Sequence, residues 1–222
     1  MPAIRVHHLE MSRSHRVLWL LEELGADFEV VRYERDRNFR ADPALKDVFP
    51  LGKAPLVEID GTVLAESGAI IEGLLDRIGD GRLRPEPGTE SYDWYRFFLH
   101  YAEGSLMPPL LVSLILSKMV EGVPFFLRPV IKAVAGAVNA NFTNGEFETH
   151  FGFIESHLAS HTWFAGDDIT AADIQMIYPV AAGPQRAGLT RESHPNIFRW
   201  LDAVKERPAY KKALETGGPL FP

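Results

Sequence analysis

A short segment rich in helix- and strand-breaking residues constrains the fold of this chain more than any other feature. Gly79–Gly88 holds three glycines and two prolines, which neither a helix nor a strand tolerates at that density. It separates a part with alternating strand and helix patterns from a part with helical patterns only. A chain of 222 residues is long enough for two domains. We therefore place the first domain at residues 1–80, a linker at 81–88 and a second domain at 89–222.

The first domain reads as a mixed α/β unit. Periodicity predicts strands at Ile4–His8, Asp27–Tyr33, Leu56–Ile59 and Thr62–Ala65. It predicts helices at Ser14–Leu24, Ala41–Val48 and Ser67–Ile78. The β-α-β opening suits parallel strand pairing, whereas Asp60-Gly61 between the last two strands predicts an antiparallel hairpin.

The second domain is predicted to be all-α. Helical patterns cover Tyr92–Lys118, Phe125–His157, Ala171–Arg186, Pro195–Lys205 and a short segment after Pro208. Thr170 and Asp173 have the spacing of a capping box at the start of one of these helices, with Ile169 and Ile174 as its hydrophobic staple. We interpret this motif as a folding device and not as a binding site.

Composition excludes several classes of chemistry. The chain has no cysteine, which rules out disulfides, thiolate metal sites and a protein thiol nucleophile. A net charge of -7 without a long basic run argues against a nucleic-acid partner. The eight histidines do not have a metal-binding spacing, so we expect no metal.

The apolar segments favour a cytoplasmic protein without a membrane partner. Met1–Glu10 does not have the order of a signal peptide, in which a basic stretch precedes an apolar one. The strongest apolar run, Leu106–Leu116, is about half as long as a membrane span. Pro108 and Pro109 are expected to interrupt it.

Three segments are expected to converge at one end of the sheet, because each lies where a strand or turn leads into a helix or loop. They are Ser12–Arg16, Lys53–Pro55 and Glu66-Ser67. Two of them open helices, and a helix N-terminus favours carboxylates, phosphates or thiolates. Pro55 lies just before a strand, where the sequence allows either a cis or a trans peptide bond.

Together these segments resemble the soluble glutathione S-transferases. The resemblance rests on Ser12–Leu18, Pro50–Pro55, Glu66-Ser67 and Asp173 within Ile169–Asp173, in family order and spacing. Tyr101–Ser105, together with the Ser-Arg-Ser start, is similar to the serine-type enzymes of bacteria and fungi. The resemblance implies a thioredoxin-like N-terminal domain and an all-α C-terminal domain. It also implies a detoxifying homodimer that conjugates glutathione to small apolar electrophiles.

The resemblance further implies which residues hold glutathione. Glu66 and Ser67 would bind its γ-glutamyl end, the Ala54 backbone before Pro55 would pair with its cysteinyl part, and Lys53 would meet its glycyl carboxylate. Simpler interpretations remain open, namely that Glu66 and Ser67 form a helix cap and that Lys53 is a solvated surface residue. Many relatives have an Asn-Pro pair where this chain has Phe49-Pro50, so this position offers no asparagine side chain for a contact.

The reacting group would be the thiol of glutathione, which the protein must help to ionise. Ser12 matches the position of the catalytic serine in several serine-type relatives, and Ser14 is its competitor. Either serine could instead be a plain helix cap. Glu103 is expected to reach the glutathione ammonium of a partner subunit, or else to be solvated or paired within its own chain.

The second domain would supply the electrophile pocket. Its candidate residues are Tyr101, Met107, Pro108, Leu111 and Phe126, although most of these side chains could fill the core instead. The same site could serve a glutathione-dependent peroxidase, dehalogenase or isomerase, or a non-catalytic module that binds glutathione or another protein. The lack of cysteine excludes a glutaredoxin and a cysteine-type transferase, since both need a protein thiol.

Overall fold

The computed structural model describes residues 2–37 and 39–221, and its N-terminal part is a four-stranded sheet with helices. The strands are β1 Ile4–Leu9, β2 Glu29–Tyr33, β3 Leu56–Ile59 and β4 Thr62–Ala65. The helices are α1 His15–Leu24, α2 Leu45–Val48 and α3 Ser67–Ile78. The element order β-α-β-α-β-β-α confirms the predicted thioredoxin-like domain.

The sheet order is β2-β1-β3-β4, with β1 parallel to β2 and the other two pairs antiparallel. The predicted parallel opening and antiparallel hairpin are therefore both present. In the hairpin, Leu56 pairs with Ala65. This register places Pro55, just before β3, beside Glu66, just after β4.

Helix α1 is covered on almost every side because it lies between the sheet and the helical part. Val17 to Leu21 are all fully buried, as are Val6 of β1 and Ile70 of α3. The gain from burying such side chains is about 25 cal/mol per Å² of apolar surface. Arg16 is the exception on this helix, because it is fully buried and charged.

The C-terminal part is helical, as predicted. Its helices are α4 Glu90–Tyr101, α5 Met107–Gly122, α6 Arg128–Val138, α7 Asn144–Ser160, α8 Ala171–Arg186, α9 Pro195–Glu206 and α10 Pro208–Gly217. Two π-helical turns, Ala102–Leu106 and Asn139–Thr143, join α4 to α5 and α6 to α7. The predicted division into residues 1–80, 81–88 and 89–222 remains a prediction.

Two predicted helices differ in extent, and one predicted interruption is absent. Instead of Ala41–Val48, only Leu45–Val48 is helical, since the Asp42 carboxylate accepts a hydrogen bond from the Ala44 N–H and holds a turn there. Pro108 and Pro109 do not interrupt the helix, because they occupy the start of α5, directly after a wide turn, where missing N–H groups are tolerated. The segment Phe125–His157 begins as a turn and becomes helical only at Arg128.

The run Glu90–Gly122 forms one 33-residue helix, longer than the apolar run seen in the sequence. Within the described residues, it is the one helix whose length and composition would allow it to cross a membrane. Of its most apolar window, 28% is buried inside the protein. A core helix of a soluble protein can pass the same test of length and composition, and Tyr95, Phe98 and Leu99 of this helix lie in the core.

The capping box at the start of α8 is present, and its acid does more than cap the helix. Asp173 is fully buried and accepts hydrogen bonds from the backbone N–H groups of Phe164 and Thr170, each at 2.9 Å. The indole Nε1 of Trp200 donates a third, also at 2.9 Å. Burial has the larger effect and raises the pKa of Asp173 to about 6, although these hydrogen bonds favour the carboxylate and lower its pKa. Asp173 therefore ties a loop, the start of α8 and α9 together.

We predict that Asp173→Ala lowers the free energy of unfolding by about 3 kcal/mol, because three buried donors lose a charged acceptor. Thr170→Ala, which removes only the cap, should cost about 1 kcal/mol. Chemical denaturation of both variants measures the difference. Equal losses would contradict the role given to the carboxylate.

Candidate functional site

A cleft of about 170 Å³ lies where β3 begins and β4 ends. Its walls include five of the residues singled out in the sequence: Lys53, Ala54, Pro55, Glu66 and Ser67. The other walls are Arg13, Phe49, Leu51, Leu56 and Ala65. The hairpin register explains this convergence, because Leu56 and Ala65 are paired and their outer neighbours meet at the same edge.

The backbone around the cleft has two unusual features. The Ala54-Pro55 peptide bond is cis, one of the two possibilities that the sequence left open. Glu66 has a φ of 70°, in the left-handed region, and Ser67 follows as the first residue of α3. Residues held in that region concentrate at functional sites. The first N–H groups of α3 have no partner within their helix and lie next to the cleft.

Two exposed opposite charges lie in the walls of the cleft. The Lys53 ammonium and the Glu66 carboxylate have no ion-pair or hydrogen-bond partner in residues 2–37 and 39–221. Phe49, the residue that departs from the family pattern, is a half-buried wall of the same cleft. The cleft can therefore meet a ligand that carries both a negative and a positive group.

The hydroxyl of Ser67 is oriented by two hydrogen bonds from buried side chains. Its Oγ accepts a hydrogen bond from Arg16 Nη1 and another from Gln175 Nε2, both at 3.2 Å. Because both neighbours are obligatory donors, the Ser67 proton is free to be donated elsewhere. Arg16 and Gln175 come from α1 and α8, so both domains contribute to this arrangement.

Arg16 forms an ion pair with Glu103, which lies in the π-helical turn between α4 and α5. Glu103 also accepts a hydrogen bond from Arg13. Burial opposes ionisation of Glu103, but the Arg16 and Arg13 guanidiniums hold its pKa below the ordinary value. The structure thus pairs Glu103 within its own chain, which is the intramolecular alternative for this residue.

The two candidate serines belong to one chain of hydrogen bonds. His8 Nε2 faces the carbonyl oxygen of Gly217 at 2.9 Å, so it must donate. Burial lowers the pKa of His8, and the neutral ring then accepts the Ser14 proton at Nδ1, also at 2.9 Å. Ser12 Oγ lies 2.7 Å from both Ser14 Oγ and the carbonyl oxygen of Leu9. Ser14 Oγ also lies 3.0 Å from the Leu9 carbonyl oxygen, but it is the hydroxyl that faces His8 Nδ1. The neutral His8 ring therefore needs the Ser14 proton, whereas the Ser12 proton is directed to Leu9 or to Ser14.

A second cavity, of about 290 Å³, lies between α5 and α8. Of the five residues predicted for an apolar pocket, Met107 and Leu111 line it. Tyr101, Pro108 and Phe126 do not. Tyr101 is nearly buried, with its hydroxyl 2.5 Å from His150 Nδ1, and helical geometry turns Pro108 to solvent, on another face than Met107. Phe126 lies in the exposed turn before α6.

The sequence analysis did not single out several residues that line the cavity or orient Ser67. They are Met11, Phe39, Tyr178, Arg186 and Phe221 at the cavity, and Gln175 behind Ser67. Helical periodicity marks positions such as Tyr178 as core, and no local motif distinguishes a cavity wall from core. Within the described ranges, no three His, Asp or Glu side chains are grouped in a way that could hold a metal.

Ser12 lies between the cleft and the cavity. Its preceding neighbour Met11 lines the cavity, and its following neighbour Arg13 lines the cleft. Ser12 itself is 6% exposed and Ser14 is fully buried, so neither is an open wall of either space. A ligand in the cleft that extends toward the cavity would pass beside Ser12.

A thioredoxin-like domain with a cleft at the cis-proline edge, joined to a helical domain with an apolar cavity, defines a glutathione transferase architecture. Comparison with known proteins agrees. Residues 1–75 match the family described as glutathione S-transferase, N-terminal domain, and residues 129–217 match glutathione S-transferase, C-terminal domain.

Similar proteins extend over nearly the whole chain. Glutathione S-transferase 1 of Saccharomyces cerevisiae is 34% identical, covering 99% of this chain and 97% of its own. Glutathione S-transferase 3 of Schizosaccharomyces pombe is 37% identical over 96% of this chain and 87% of its own. A crystal structure of a glutathione S-transferase from Actinobacillus pleuropneumoniae superimposes with a TM-score of 0.77 at 34% identity, covering 98% of this chain and 94% of that one. The chain belongs to the soluble glutathione S-transferase family and is a transferase.

We predict that Glu103→Ala lowers the free energy of unfolding by about 3 kcal/mol, because it leaves the buried Arg16 charge unpaired. Glu206→Ala, which breaks an exposed pair with Lys211, should cost less than about 1 kcal/mol. Denaturant titration compares the two.

The pH dependence gives a second test of the Glu103 pair. The pKa of Glu103 is lower in the folded than in the unfolded protein, so its contribution is present above the ordinary value of 4.5 and is lost as pH falls through the folded pKa. If Glu103→Ala proves as stable as Glu206→Ala, the ion pair between Glu103 and Arg16 does not compensate the buried charge of Arg16.

Proposed function

We propose that the cleft binds glutathione and that the glutathione thiolate attacks a small apolar electrophile held in the adjacent cavity. One observation carries the proposal. The free charges of Lys53 and Glu66 and the oriented hydroxyl of Ser67 lie in a single cleft, and Ser12 lies between that cleft and an apolar cavity.

Each end of glutathione has a matching group in the cleft. Ser67, with its proton free and the N-terminus of α3 behind it, would bind the γ-glutamyl carboxylate. Glu66 would face the γ-glutamyl ammonium, and Lys53 would meet the glycyl carboxylate as a point charge. The backbone of Ala54, next to the cis Pro55, would pair with the cysteinyl part.

The reaction requires a thiolate, and an ordinary thiol has a pKa of about 8.5, so only a small fraction is ionised at neutral pH. A hydroxyl donor and the N-terminus of α1 would stabilise the anion beside Ser12. The thiol proton leaves to solvent, and the sulfur forms a bond to the electrophilic carbon. On an aryl halide the halide then departs, and on an activated alkene the carbanion takes up a proton.

The hydrogen-bond order supports Ser12 as the donor to the sulfur. The Ser14 proton is needed by the neutral His8 ring, so donating it to a ligand would leave a buried acceptor without a partner. Ser12 could turn its proton from Leu9 or Ser14 to the sulfur and leave the hydrogen bond between Ser14 and His8 in place. Ser14 would then position Ser12, since its Oγ lies 2.7 Å away.

We also propose that the protein is a cytoplasmic homodimer. The long helix Glu90–Gly122 exposes Phe97, Ile115 and Met119, which leaves apolar surface for a second copy to cover. Light scattering at micromolar concentration should give about twice the chain mass of 24.9 kDa. A particle of one chain mass would contradict the dimer.

Glutathione binding is tested by calorimetry. We expect wild type to bind glutathione and Lys53→Ala, Glu66→Gln and Ser67→Ala each to weaken binding by about tenfold, the loss of one charge-assisted hydrogen bond. Lys132→Ala removes a lysine on α6, outside the cleft, and should bind as wild type does. No heat at millimolar glutathione, or unchanged affinity in all three cleft variants, would refute the site.

Thiol activation is tested by kinetics. Ser12→Ala should lower the conjugation rate at neutral pH by about 10²–10³-fold, as when one preorganised donor to an anion is lost. Its pH–rate midpoint should move up toward the free thiol, so that higher pH recovers part of the rate, while glutathione affinity changes little. If Ser14→Ala loses both rate and midpoint and Ser12→Ala keeps them, the donor is Ser14.

A further inference from the structure

The apolar cavity has a charged end. Lys118, Glu121 and Arg186 all line it, together with apolar side chains of α5 and α8 such as Leu110 and Ala182. Lys118 and Glu121 neutralise each other through a 2.7 Å ion pair. Arg186 also attracts Glu121, and with both cations the residues lining this end carry one net positive charge.

Arg186 has no hydrogen-bond or ion-pair partner in the part of the chain that the structure describes. Arg186 is half-buried and is one of the residues that line the cavity. A guanidinium presents several N–H donors in one plane and binds a carboxylate through two parallel hydrogen bonds. An unpaired guanidinium at the end of an apolar cavity thus favours an apolar ligand with an anionic end.

The position of Arg186 along α8 sets the length of such a ligand. Tyr178, which also lines the cavity, lies near the cleft, with its ring centroid 5.6 Å from the Arg16 guanidinium carbon. Arg186 is eight residues further along the same helix, a rise of about 12 Å at 1.5 Å per residue. The reactive carbon near Ser12 and the charge near Arg186 would therefore be separated by most of the cavity.

We infer that the cavity selects electrophiles that carry a carboxylate about 10 Å from the reacting carbon, with Arg186 as the residue that binds that carboxylate. This inference rests on the proposed function, since it names the electrophile class of the same site. It concerns selectivity only. The sulfur–carbon bond forms as before, and the carboxylate is unchanged by the reaction.

The experiment uses two electrophiles that differ only in charge. Ethacrynic acid is an aryl enone whose carboxylate is remote from the reacting alkene, and its primary amide has the same enone without the charge. Because the substituent is remote, the uncatalysed rates with glutathione should be similar, and the enzymatic kcat/KM of each is divided by its uncatalysed rate. Wild type should favour the acid by about tenfold, the scale of one charge-assisted hydrogen bond in a partly exposed site.

The variants then locate the selectivity. Arg186→Gln should bring the ratio of acid to amide close to one, Arg186→Lys should keep part of the preference, and Arg186→Glu should reverse it. Lys205→Gln, which removes a positive charge on α9 outside the cavity, should keep the wild-type ratio. The inference is overturned if wild type shows no preference, or if Arg186→Gln lowers kcat/KM for both electrophiles equally.

A neutral aryl halide separates this inference from the proposed function. If wild type conjugates 1-chloro-2,4-dinitrobenzene to glutathione but does not distinguish acid from amide, the function holds and the carboxylate site is wrong. If no electrophile is conjugated although glutathione binds, the proposed function itself fails.

Discussion

The buried charge of Arg16 is the constraint on which the rest of the site depends. A guanidinium with no exposure to water must be paired, and its partner Glu103 comes from the helical domain. The same guanidinium donates to Ser67 at the start of α3. One side chain therefore links α1 to a wall of the cleft and to the long helix Glu90–Gly122. Truncating either ionic partner would disturb both domains together.

The cleft and the cavity give the two reactants separate places. The cleft formed by the β3–β4 hairpin offers charges and a hydroxyl, which suit a zwitterionic peptide, whereas the cavity between α5 and α8 is mainly apolar. Ser12 lies at the junction because its two neighbours face the two spaces. The chain has no cysteine, so the sulfur in this account must come from the bound peptide.

Local patterns in the sequence were enough to predict the mixed sheet, the helical domain and the segments that form the cleft. Lys53–Pro55 and Glu66-Ser67 meet because strand register is a local property, set by a two-residue hairpin turn. Contacts between domains could not be predicted this way. Gln175 lies 108 positions from the serine to which it donates, and Tyr101 reads as a pocket residue although its hydroxyl faces His150.

The central claim is that the protein lowers the pKa of the glutathione thiol at Ser12, and absorbance of the bound thiolate near 240 nm tests it most directly. Titrating the wild-type protein saturated with glutathione should give a midpoint below about 8.5, the value of a free thiol, by at least about one unit, or roughly 1.4 kcal/mol of preference for the anion. The complex with Ser12→Ala should titrate close to the free thiol. A wild-type midpoint equal to that of free glutathione would contradict the account.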